Sequence, residues 1–186
     1  METHKKYLKK ILISEEELNN RIESLGKEIS SDYSDSNDLL LVCILRGAVL
    51  FLTDLSRKIS IPHEMDFMAI SSYGTGGRTS SGVVRITMDL STNINSKDVL
   101  IVEDIIDSGN TLSYVLDLLS TRKPKSLHVC TLLDKKERRE VNVPLRYVGF
   151  EIPNEFVFGY GLDLDEYFRN LPFIGIVNLD VFQEKT

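Results

Sequence analysis

The segment Val99 to Thr111, VLIVEDIIDSGNT, constrains the fold more tightly than any other stretch of this chain. An apolar run of strand length turns abruptly acidic at Glu103 and Asp104, then closes on Asp107, Ser108, Gly109, Asn110 and Thr111. Leu112, Val115, Leu116 and Leu119 follow at helical spacing, which places the Asp107 to Thr111 turn between the carboxyl end of a strand and the amino end of a helix. Backbone N–H groups at a helix start, joined by the hydroxyls of Ser108 and Thr111, suit a phosphate monoester, and Gly109 permits close backbone approach. Carboxylates repel phosphate, so Glu103 and Asp104 make sense facing hydroxyl groups or a divalent cation. Together these demands describe a ribose 5-phosphate held at both ends. An isolated acidic pair would read as a solvated strand end, and DSGNT alone as an ordinary helix cap; the combination is what points to a site.

The rest of the chain supplies similar units. Ser14 and Glu17 form a capping box ahead of Leu18, Ile22, Leu25 and Ile29, predicting a helix to about Ser30. Leu39 to Leu45 is a continuous apolar run, as expected for a strand covered on both faces. Arg46-Gly47 ends it, and Ala48, Phe51, Leu52, Leu55 and Ile59 trace the next helical stripe up to Pro62. Met65 to Ile70 and Val83 to Leu90 read as strands, and Ser126 to Leu133 as the last clear core strand. Tyr147 to Ile152 and Phe156 to Tyr160 read as short strands of a hood over the site. The expected fold class is α/β, a central mostly parallel sheet flanked by helices, in one domain over residues 1–186. Its core spans about 39–135 and the chain termini, about 1–15 and 145–186, form a small hood.

Between two of those strands lies SSYGTGGRTSSG, Ser71 to Gly82, with Gly74, Gly76, Gly77 and Gly82 among hydroxyl residues. Composition alone gives a flexible loop. Its departure from a strand end makes it a candidate lid.

Charge and cysteine usage narrow the function classes. The formal net charge of −6 argues against a general nucleic-acid binder, whose affinity would require clustered Lys and Arg. Lys135, Lys136, Arg138 and Arg139 do cluster, and a solvated loop accounts for the last three. Lys135 directly follows a predicted strand, where an open α/β sheet presents ligand contacts. Cys43 and Cys130 lie inside predicted strands as small apolar core residues. His4, His63 and His128 have no zinc or triad setting. Met1 is followed by Glu2, His4, Lys5 and Lys6, and no run approaches the length of a membrane span, so a cytoplasmic location without membrane or nucleic-acid partners is expected.

VLIVEDIIDSGNT closely resembles the phosphoribosyl pyrophosphate (PRPP) binding motif of the type I phosphoribosyltransferases. Leu45-Arg46-Gly47-Ala48, the run Phe156 to Asp163 (FVFGYGLD) and Glu166-Tyr167-Phe168-Arg169 resemble the hypoxanthine (hypoxanthine-guanine) branch of that family, in order over about Leu39 to Val177. The resemblance implies transfer of a 5-phosphoribosyl group from PRPP to nitrogen 9 of a 6-oxopurine. It further implies PRPP ribose and phosphate contacts at Glu103, Asp104, Asp107, Ser108, Gly109, Asn110 and Thr111, with Asp107 taking or sharing the base proton. Pyrophosphate contacts fall on Arg46, Gly47 and Arg169, the Arg46-Gly47 peptide being one that the family often holds strained or cis. Purine contacts fall on Lys135, Phe156, Val157 and Asp163, and Ser72 and Tyr73 belong to the closing loop. Mg²⁺ is the implied cofactor at Glu103 and Asp104, with Asp163 within reach of a second ion. Relatives are homodimers or homotetramers. Arg46 stands where family members often carry Lys, and relatives vary at Asn110. A PRPP-sensing nucleic-acid-binding regulator with the same fold is the alternative, to be marked by a basic face and a degraded base pocket.

Overall fold

The computed structural model describes residues 3–73 and 83–183. Strand β1 (Leu8–Ile13) leads to helix α1 (Glu15–Asp32), whose first turn carries the expected reciprocal cap: Glu17 N–H donates to Ser14 Oγ at 3.3 Å and Ser14 N–H to Glu17 Oε2 at 2.8 Å. The helix buries Leu18, Ile22, Leu25 and Ile29, the stripe legible in its sequence. Then follow β2 (Leu39–Leu45), α2 (Val49–Ser56), β3 (Glu64–Tyr73), β4 (Val83–Met88), β5 (Asp98–Ile106), α3 (Asn110–Ser120) and β6 (Ser126–Asp134). The chain ends through β7 (Tyr147–Glu151), β8 (Val157–Phe158), β9 (Ile174–Val177) and α4 (Leu179–Gln183).

Six strands form one sheet in the order β4-β3-β2-β5-β6-β7, parallel throughout except for the β3–β4 pair. Strand alternation sends Leu39, Leu41 and Cys43 to the face covered by α1 and α2, and Leu40, Val42 and Ile44 to the face covered by α3. Both faces are thus dry, which explains why β2 and the first half of β5 are apolar without alternation. Cys43 and Cys130 are fully buried in this core as free thiols, and burial pushes Cys43 up to about 12. A second, three-stranded antiparallel sheet, β1-β9-β8, closes over one end.

Three placements differ from expectation. Tyr147–Glu151 is not a hood strand: it runs parallel to β6 as the sheet's edge, with Cys130 opposite Tyr147 and Leu133 opposite Phe150. Its half-polar pattern suits an edge strand, and only the long-range ladder distinguishes that from a hood strand. Ser72 and Tyr73 lie within β3, opposite Val84 and Val83 of β4, rather than in a loop; the glycine-rich part of the proposed lid, residues 74–82, is outside the described residues. The cis peptide bond joins Leu45 to Arg46, one residue before the Arg46-Gly47 peptide. No helix among the described residues is long and apolar enough to cross a membrane.

Candidate active site

Because β2, β3, β5 and β6 run parallel, their carboxyl ends lie along one edge of the sheet, where open α/β sheets bind ligands. Register decides which residues meet there. Ile106 lies opposite Asp134, so Asp107 and Lys135 leave their strands side by side, tied by the Lys135 N–H donating to the Ile106 carbonyl at 2.9 Å. Lys135 Nζ is 3.7 Å from Asp107 Oδ2, and Arg138 Nε donates to Asp107 Oδ1 at 2.8 Å. Lys135 is 7% exposed. Its ammonium lies 5.7 Å from the ring centre of Phe156, which is 64% exposed and so is not a core residue. Val157 begins β8, the edge strand of the small sheet, with one row of peptide groups turned away from β9. Asp107, Lys135, Phe156 and Val157 therefore form one neighbourhood bearing a carboxylate, a cation and an open aromatic face.

The turn into α3 forms the next neighbourhood. Gly109 is the N-cap at φ 86°, in the left-handed region, and offers no side chain of its own to the helix, while the Ser108 hydroxyl accepts from the Asn110 N–H at 3.4 Å. The N–H groups of a helix start are the donors that an anion site uses. Asn110 does not intrude on the turn; its side-chain amide donates to Glu140 Oε2 at 2.8 Å.

A third group collects around the end of β5. Glu103 and Asp104 project to opposite faces of the strand, both half-buried. Glu103 Oε2 is buried with no hydrogen-bond partner among the described residues, and burial, reinforced by the charge of Asp104, raises its proton affinity well above the usual carboxylate range. Burial likewise pushes Asp104 up to about 6, against the bond its Oδ1 accepts from the Ile105 N–H at 2.8 Å and the attraction of Arg169. Burial outweighs what stabilises the charge of either carboxylate, the condition in which a cation or hydroxyl ligand is favoured.

The Arg46-Gly47 turn lies against Asp104. A side chain at Gly47 would overlap the Asp104 carboxylate, so this close approach requires glycine. Arg46 and Arg169 both reach Glu166 Oε2, at 2.7 and 3.0 Å, and Arg169 also pairs with Asp163 Oδ1 at 2.9 Å and donates to the Gly161 carbonyl at 2.8 Å. Asp163 Oδ2 accepts from the Glu166 N–H at 2.9 Å, so both Asp163 oxygens are engaged, while its charge still raises the proton affinity of Asp104.

The sequence-derived residues thus come together in three adjoining clusters, except Ser72 and Tyr73, which lie in β3 at the far side of β2. Sequence reading missed three participants. Glu166, part of a recognised motif but given no role, joins the two arginines. Arg138 and Arg139, read as solvated, bond to Asp107 and to the buried Asp134.

The chain as a whole has close counterparts among known proteins. The sequence profile of the phosphoribosyl transferase domain matches residues 14–165. The chain belongs to the phosphoribosyltransferase family. Within it, hypoxanthine phosphoribosyltransferase of Escherichia coli K12 is 54% identical over 175 residues, covering 94% of this chain and 98% of that protein. Hypoxanthine-guanine phosphoribosyltransferase of Mycobacterium avium is 52% identical over 182 residues, covering 95% and 89%. The crystal structure of a Staphylococcus aureus hypoxanthine phosphoribosyltransferase superposes with a TM-score of 0.92 at 43% identity, covering 97% of each chain. The six-stranded sheet with its flanking helices is accordingly the type I phosphoribosyltransferase fold.

Proposed function

We propose that this phosphoribosyltransferase serves purine salvage, moving the 5-phosphoribosyl group of PRPP to nitrogen 9 of hypoxanthine or guanine, giving inosine or guanosine monophosphate and pyrophosphate. The observation that carries the reading is the meeting of Asp107, Lys135 and Phe156 beside the start of α3, which puts base-recognition groups next to a candidate phosphate site. The alternative of a nucleic-acid-binding regulator is disfavoured by the net charge of −6 and by a base pocket that keeps its cation, carboxylate and aromatic.

In this reading the N–H groups of the Asp107 to Thr111 turn, with the hydroxyls of Ser108 and Thr111, grip the 5-phosphate. Glu103 and Asp104 hold the ribose hydroxyls. Arg46, the Gly47 peptide and Arg169 take the pyrophosphate, and the arginines exchange Glu166 for it. Departure of pyrophosphate leaves positive charge shared between the ribose carbon and its ring oxygen, so the site's work is to neutralise the leaving group and receive the base. Phe156 stacks on the purine, Val157 offers peptide groups to its edge, Lys135 donates to the oxygen on carbon 6, and Asp107 accepts or shares the base proton.

The donor set also fits Mg²⁺. Among the described residues no three potential ligands converge on one point. Mg²⁺, however, is commonly held by one or two carboxylates plus substrate phosphates, and Glu103 offers a buried, unpartnered oxygen for that purpose. Glu103 and Asp104 would each supply a carboxylate for the metal, and Asp163 would be within reach of a second ion. When bound, Mg²⁺ neutralises charge on the pyrophosphate. The cytoplasmic location and the homodimeric or homotetrameric state are supported by the family resemblance.

The direct test is pyrophosphate release from PRPP and hypoxanthine, with and without a chelator. Turnover restored only by added Mg²⁺ is expected; chelator-insensitive turnover would remove the metal from the scheme, and no nucleotide product would remove the reaction. A finer test is Lys135→Gln. Loss of a charged donor to the purine oxygen costs about 1.5 to 3 kcal/mol, so hypoxanthine and guanine affinity should fall while PRPP affinity holds. Equal losses of both in calorimetry would contradict the placement of Lys135.

A further inference from the structure

The segment from Arg139 to Val143 lies behind the phosphate turn and touches it at each residue that matters. The Ser108 carbonyl accepts the N–H groups of Glu140 and Val141 at 2.9 and 3.2 Å. The side-chain amide of Asn110 donates to Glu140 Oε2 at 2.8 Å. Gly109 faces the same segment: a Cβ there would lie 3.0 Å from the Val141 carbonyl oxygen and 3.2 Å from Val143 Cγ2. The segment is itself anchored by Arg139, whose Nε and Nη2 donate to Asp134 Oδ1 at 3.1 and 2.8 Å while Nη1 donates to the Val143 carbonyl at 3.3 Å. Asp134 is buried at the end of β6, immediately before Lys135.

We infer that Arg139 and Glu140 are positioning residues for the phosphate turn: the Arg139–Asp134 pair clamps the 139–143 segment to β6, and that segment sets the backbone of Ser108, Gly109 and Asn110 in the anion-binding conformation. The physical need is plain. A helix start with a left-handed residue must have that geometry held in place, and beyond the 3.4 Å contact of Ser108 Oγ with the Asn110 N–H the holding groups come from one segment. The guanidinium fork matters because it reaches a carboxylate and a carbonyl at once, which a point charge cannot do with the same geometry.

The inference rests on the reading of the 107–111 turn as the 5-phosphate site, and the test separates the two. Ribose 5-phosphate is titrated calorimetrically into the wild-type protein, Arg139→Lys, Glu140→Ala and Glu140→Gln. PRPP and hypoxanthine KM and kcat are measured on the same preparations. Arg139→Lys keeps a charge on buried Asp134 and so folds, yet loses the fork. Its ribose 5-phosphate Kd and PRPP KM should rise about tenfold, the size of one lost charge-assisted hydrogen bond. Glu140→Ala should show a several-fold rise and Glu140→Gln a return to within about twofold, since an amide oxygen can still accept from Asn110. In all three, kcat at saturating PRPP and KM for hypoxanthine should stay within about twofold, a split that a general loss of stability would not produce. Unchanged ribose 5-phosphate binding in both Arg139→Lys and Glu140→Ala, or parallel loss of phosphate and purine affinity, would overturn the positioning role. A wild-type protein that fails to bind ribose 5-phosphate would overturn the site reading and the clamp with it.

Discussion

Asp107→Asn is expected to lower turnover by a factor of about 10² to 10⁴, the usual cost of losing a general base, while PRPP binding changes by no more than a few fold. The substitution keeps the shape of the side chain and its ability to accept from Arg138 Nε, now 2.8 Å away, but it removes the carboxylate that can take the purine proton. The phosphate is gripped by the turn's backbone, so its affinity should be largely spared. A merely structural Asp107 would behave in the opposite way, with a lower melting temperature and near wild-type turnover. Turnover, PRPP affinity and melting temperature measured on one preparation separate the two cases, and near wild-type turnover would end the proton-acceptor assignment.

Asp104→Asn should show activity and stability moving in opposite directions. A carboxylate that holds the ribose hydroxyls and would help to hold a metal ion is worth several kcal/mol, so PRPP-dependent turnover should drop by about 10² to 10³. The free protein should nevertheless become more stable at neutral and higher pH. Burial pushes the Asp104 carboxyl up to about 6, above its value in an unfolded chain near 3.8, so the folded state binds the proton more tightly than the unfolded state does. Stability from this group is therefore fully present below about pH 4 and lost as pH rises through about 6. A displacement of that size corresponds to about 3 kcal/mol, which the neutral amide would recover above pH 7. Glu103, raised in the same sense, leaves part of the pH slope in place. Urea denaturation of both proteins at pH 5 and pH 8 should show the Asn variant gaining mainly at pH 8. A pH-independent difference, or a less stable variant at pH 8, would contradict a carboxylate raised by burial.

What was readable in the amino-acid sequence was what local pattern controls. The passage from Ile101-Val102 to Glu103-Asp104 marks a dry strand emerging at a polar edge, and the Gly109 to Leu119 pattern marks the helix that follows; both are decided within a dozen residues. The Ser14–Glu17 capping box is likewise local. Long-range pairing decided the rest. Tyr147–Glu151 carries no signal of its own to distinguish a sheet edge from a hood strand, because only its ladder to β6 makes that choice. The run DKKERR, Asp134 to Arg139, looks uniformly solvated by composition, yet the turn after β6 directs Lys135 toward Asp107 and Phe156, Arg138 onto Asp107 and Arg139 back onto Asp134. Charge type alone cannot separate these fates. Its place directly after a predicted strand singled out Lys135, and nothing comparable singled out Arg138, Arg139 or the role of Glu166.

In the proposed reaction this carboxyl edge joins a phosphoribosyl group to a 6-oxopurine, with the buried Lys135 cation facing the oxygen on carbon 6. The most direct measurement is the kcat/KM of the wild-type protein for hypoxanthine, guanine, xanthine and adenine, each with PRPP and Mg²⁺ under identical conditions. An amino group on carbon 6 cannot accept a hydrogen bond from Lys135, and a site whose buried polar group is left unpaired rejects such an analogue by about 10⁴ or more. Efficient use of hypoxanthine or guanine with adenine at background is the predicted result; adenine turned over as well as hypoxanthine, or no PRPP-dependent turnover of any base, would contradict the account.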